Sequence, residues 1–72
     1  MIAVVGGRAW EMTRGQWEGL LQVASEAVPR GVYAVERGGM GELVRQEAAS
    51  AGEVDALVAG WERDGYCAHA NR

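Results

Sequence analysis

The apolar positions of this chain recur with two different periods. Trp17, Leu20, Leu21, Ala24 and Val28 follow the i, i+3, i+4, i+7, i+11 spacing that lines one face of an α-helix. Thr13 followed three residues later by Gln16 forms a capping box, and Met12 and Trp17 occupy the positions of a hydrophobic staple. Pro29 ends the pattern, because the residue before a proline avoids the α region. The spacing therefore predicts a helix over 13–28. A second stripe, Val54, Leu57, Val58 and Trp61, follows Ser50 and Glu53, which repeat the capping box. Gly65 stands where a left-handed C-terminal cap belongs, with Tyr66 placed to touch Trp61.

The remaining apolar runs are short and read as strands. Ile2–Val5 is β-rich, Gly6 and Gly7 suit a two-residue turn, and 8–12 alternates loosely, which together predict a hairpin. Gly31–Arg37 carries Val32, Tyr33 and Val35, all good strand formers. The segment 40–49 is ambiguous. Met40, Leu43 and Val44 have helical spacing, yet the glycines at 38, 39 and 41 suit a hairpin loop with a returning strand over 42–46. The hairpin is favoured, with an extra helix at 40–49 as the alternative. A last strand is expected over 66–70, with Asn71 and Arg72 fraying. The expected architecture is a single α+β domain over 1–72, of order ββαββαβ. It is a two-layer sandwich in which both amphipathic helices cover one face of a small antiparallel sheet.

Size sharpens this picture. A core built from 72 residues supplies only about 3–5 kcal/mol, so small domains usually need a further brace. Cys67 is the lone cysteine and cannot form an internal disulfide. Well-packed tryptophans or self-association remain. No run approaches the roughly 20 apolar residues that span a bilayer, and no signal-peptide pattern opens the chain, so a cytoplasmic protein without a membrane partner is expected. The formal charge of −3 argues against direct nucleic-acid binding, unless the arginines at 8, 14, 30, 37 and 45 gather on one face. The charge is also uneven. Residues 1–45 hold five acids and five arginines, and the whole net of −3 lies in 46–72.

Few residues suggest chemistry. Cys67 and His69 share a strand face and could be half of a metal or ligand site completed at a dimer interface, although a zinc site wants more ligands than one chain offers. Gly38-Gly39-Met40-Gly41 lacks the third glycine of a dinucleotide loop, where Val44 stands, and a phosphate loop is excluded by the absence of lysine. No catalytic constellation and no cofactor site follow. Trp10 belongs to neither helical stripe; it shares a hairpin face with Arg8 and Met12, and tryptophan and arginine are favoured at interfaces. Glu53, Asp55, Glu62 and Asp64 gather on the second helix as an acidic surface suited to a basic partner. The sequence thus points to a non-enzymatic interaction or regulatory module that binds another protein, itself, or both. Arg8, Trp10, Met12, Glu53, Asp55, Glu62 and Asp64 are its candidate contacts.

Overall fold

A computed structural model describes all 72 residues. The elements follow the order β1 (Ile2–Val5), β2 (Arg8–Glu11), α1 (Arg14–Ala27), β3 (Gly31–Arg37), β4 (Met40–Glu47), α2 (Ala51–Arg63) and β5 (Cys67–Asn71). This is the expected ββαββαβ α+β sandwich. The segment 40–49 resolves as strand, because Gly38 and Gly39 take φ of +57° and +78° and close a tight turn. Gly6 and Gly7 do the same at +59° and +78°. Two positive φ angles define the turn whose twist matches that of the flanking strands, and glycine reaches them without strain.

The first helix start is built as the sequence indicates, and the second departs from the expected capping box in one bond. The Thr13 hydroxyl accepts from the Gln16 amide while the Gln16 side chain accepts from the Thr13 amide. At α2 the Ser50 hydroxyl accepts from the Glu53 amide, but the Glu53 carboxylate reaches one residue further back, to the Ala49 amide at 2.7 Å. Gly65 at φ +88° ends α2, with its amide donating to the Glu62 carbonyl and that of Tyr66 to the Trp61 carbonyl. The Trp61 and Tyr66 rings meet edge-on at 5.3 Å. Asn71 does not fray: its side-chain amide donates to the carbonyls of Ser25 and Val28 at 2.8 and 2.9 Å, tying β5 to the end of α1.

Two particulars of the sandwich differ from the expectation. The sheet, of order β2-β1-β4-β3-β5, is mixed rather than antiparallel, because β1 and β4 run parallel. The helices also take opposite faces. Ala3, Gly41, Ala34 and Glu36 share one face through their cross-strand pairing, and α1 lies on it, with Trp17 packed against Ala3 and Ala34. Val32 and Val35 point the other way and are sealed by α2, whose Val54 is fully buried. Chain handedness explains the split. The paths β2-α1-β3 and β4-α2-β5 each join parallel strands and step the same way across the sheet, but they start from strands of opposite direction. Right-handed crossovers then place one helix on each side.

Trp17 is the anchor of the α1 layer. It is fully buried, and a Cβ at Gly41 would lie 2.6 Å from its ring. Gly41 is therefore a strand residue whose missing side chain makes room for the indole, rather than part of a loop.

Candidate interaction surface

The sheet is wider than α1, and the β2 end is left uncovered. All four residues of β2 are exposed. Period-two alternation sends Arg8 and Trp10 to the α1 face and Ala9 and Glu11 to the other. The Arg8 guanidinium lies 4.9 Å from the centroid of the Trp10 ring, within cation–π range. Trp10 is 47% exposed, and a shallow groove runs from it past Met12, Gln16 and Gly19 to Leu20 and to Val23, which is 64% exposed. Met12 faces this groove from its other side and packs partly on the Trp17 core. The structure thus unites Arg8, Trp10 and Met12 on one surface, as the hairpin pattern indicates.

Leu20 and Val23 were not among the sequence candidates. Leu20 belongs to the buried stripe of α1, and Val23 lies outside it as an isolated apolar residue. Only the proximity of α1 to β2 shows that both flank Trp10.

The acidic candidates are dispersed. Glu53 closes the start of α2, and Asp55 pairs with Arg72 at 2.6 Å. Glu62 and Asp64 form no ion pair and lie at the far end of α2. The arginines do not gather on one face either. Arg14 engages Glu36 on the α1 side, Arg37 lies 5.5 Å over Tyr66 on the α2 side, and Arg45 pairs with Glu47.

Cys67 and His69 do share a face, with Cys67 exposed. His69 is already engaged: its Nε2–H donates to the Glu36 carboxylate at 2.5 Å, and its ring lies 6.2 Å from that of Tyr33. Glu36 is the hub of a polar cluster that the sequence did not single out, since an acid late in a strand reads as a solvated end. Its side chain is only 14% exposed. The carboxylate accepts from Arg14 through both terminal nitrogens as well as from His69. The Trp17 indole N–H leans toward it without reaching hydrogen-bond geometry. Burial alone would raise the Glu36 pKa, but hydrogen bonds from Arg14 and His69, helped by the indole, outweigh it and hold the carboxyl below its ordinary 4.5.

A depressed folded-state pKa stabilises the fold fully above the ordinary value, and the contribution is lost as pH falls through that value toward the folded one. The resistance of the wild type to urea should therefore fall as pH drops through the ordinary carboxylate range, below about pH 5. Glu36→Gln should be less stable at pH 7 and show a flatter profile across that window. Parallel profiles for the two proteins would remove Glu36 from the acid response.

No helix is long and apolar enough to cross a membrane, and no group of three or more His, Cys, Asp or Glu within the chain could hold a metal ion. No family model matches this chain, nor does any curated protein or solved structure.

Proposed function

We propose that this protein is a non-enzymatic interaction module that self-associates through the open β2 face, with Trp10 at the centre of the contact. The observation that carries this reading is the half-exposed Trp10, stacked by Arg8 and continued by Val23 into one apolar groove. A large apolar side chain left in water at a rimmed groove favours association, and tryptophan and arginine are both enriched among the residues that dominate binding energy. A marginal core gives the same surface a second value, since covering it adds stability the chain cannot find internally. The acidic half ranks behind it as a contact for a basic partner, because Glu53 and Asp55 already serve the chain itself, leaving Glu62 and Asp64.

Light scattering coupled to size exclusion tests this directly. The wild type should run as a concentration-dependent dimer. Trp10→Ala should weaken dimerisation by about 30-fold or more, the effect of losing a binding hot spot. Its monomer should lose no more than about 1 kcal/mol, since the ring is half in water. A wild type that stays monomeric at high micromolar concentration would refute the reading.

A further inference from the structure

We propose that the second copy docks by edge-to-edge pairing of β2 with β2, antiparallel about a two-fold axis that passes between the two Trp10 residues, so that the two five-stranded sheets become one. This rests on the self-association reading above and adds the surface, the register and the atoms.

The hydrogen-bond pattern of the first hairpin fixes which groups are free. The Met12 amide donates to the Met1 carbonyl, so Met1 and Met12 form a hydrogen-bonded pair. Antiparallel pairs alternate, and the register runs Ile2 with Glu11, Ala3 with Trp10, Val4 with Ala9 and Val5 with Arg8. Trp10 and Arg8 therefore spend their amides and carbonyls on β1, whereas those of Ala9 and Glu11 point outward from the sheet. A copy related by a two-fold axis perpendicular to the sheet keeps its faces aligned, so only residues of the same face can stand opposite one another. With Trp10 opposite Trp10, Ala9 of each copy meets Glu11 of the other. Both outward-pointing residues of both copies then exchange backbone hydrogen bonds. The two indoles form a non-hydrogen-bonded cross-strand pair, the closer kind, on the face where Arg8 and Val23 already flank them.

β2 is short and carries Arg8 and Glu11 at its ends, but it has no proline, it pairs with β1 without irregularity, and α1 leaves its outer edge bare. One further feature selects this edge over β5, and that feature is charge. The net −3 of the chain lies in 46–72, which builds α2 and β5 at the opposite end of the sheet from β2. Pairing through β5 would bring two acidic halves together. Pairing through β2 leaves the two β5 strands nine spacings apart, roughly 43 Å, several times the roughly 8 Å screening length at physiological salt.

Ala9→Pro is the test. Proline removes one outward N–H and is tolerated on an edge, while the β1–β2 hydrogen bonds at Arg8 and Trp10 stay intact. The proposal expects a folded monomer at concentrations where the wild type is wholly dimeric. Hydrogen exchange on the wild type supplies an independent reading that needs no variant. The Ala9 and Glu11 amides should slow at least tenfold from dilute monomer to dimer, with the Trp10 amide protected in both. A dimer that survives Ala9→Pro, or Ala9 and Glu11 amides that exchange freely in the dimer, overturns the edge pairing while leaving self-association intact through the groove. A wild type monomeric throughout overturns both. Should the proline variant fail to fold, the wild-type exchange rates decide alone.

Discussion

Trp17→Ala is expected to leave the chain largely unfolded at 25 °C. Trp17 is fully buried and joins α1 to the sheet through Ala3 and Ala34, over the gap made by Gly41. Truncating a buried tryptophan to alanine costs about 3–5 kcal/mol, which is the whole of what a core this size supplies. The floor beneath the ring is alanine and glycine on strands fixed by β-ladders. Only side chains at its margin, such as Leu20, Leu21 and Leu43, can lean into the space, and they fill it incompletely. The near-ultraviolet circular dichroism of the variant should be lost without denaturant. A cooperative urea transition with a midpoint near that of the wild type would show that the α1 layer does not depend on this side chain.

Gly31→Ala should have a comparable effect by another route. Gly31 opens β3 at φ +139°, a conformation that side-chain-bearing residues rarely adopt. A Cβ there would lie 2.1 Å from the Gln46 carbonyl oxygen and 2.9 Å from the Glu47 Cα, both backbone atoms of the neighbouring strand. A flexible side chain could swing aside; a paired strand cannot. Relief requires breaking the Gly31–Glu47 end of the β3–β4 ladder, together with the pairing of Gly31 to Asn71 on the other side. Strain and lost pairing together should cost about 3 kcal/mol or more, set by the strain and overpacking scales. Chemical denaturation measures it. A loss below about 1 kcal/mol, the centre of the distribution for ordinary substitutions, would mean the strand end yields easily.

The sequence made the local elements legible where one physical rule acted alone. Thr13 with Gln16, Pro29, and Gly65 with Tyr66 each mark a helix boundary by hydrogen bonding or sterics that involve only neighbouring residues, and each boundary stands there. The two glycine pairs likewise specify their turns. What the sequence did not show was where the elements meet. A helical stripe states that one side is apolar but not which face of the sheet receives it. The clue lay instead in β3, where Val32-Tyr33-Ala34-Val35 is apolar without alternation. A strand buried on both faces reads this way, and two facing layers require it.

The same limit applied to the functional surface. The hairpin alternation was enough to group Arg8, Trp10 and Met12, because one strand and its continuation set their faces. Leu20 and Val23 join them only through the crossing of α1 beside β2, which no local pattern encodes. Glu36 was hidden for a related reason: Arg14 and His69 bond to it from two other elements, at separations of 22 and 33 residues along the chain. Residues that act through long-range packing leave no spacing to read.

A dilution series of amide spectra on the wild type tests the central claim most directly, because it locates the contact without altering the chain. Between high and low micromolar concentration, the signals that move should be those of residues 8–12 together with Leu20 and Val23, while α2 and β5 stay still. Shifts confined to 51–71, or no concentration dependence anywhere, would contradict the account.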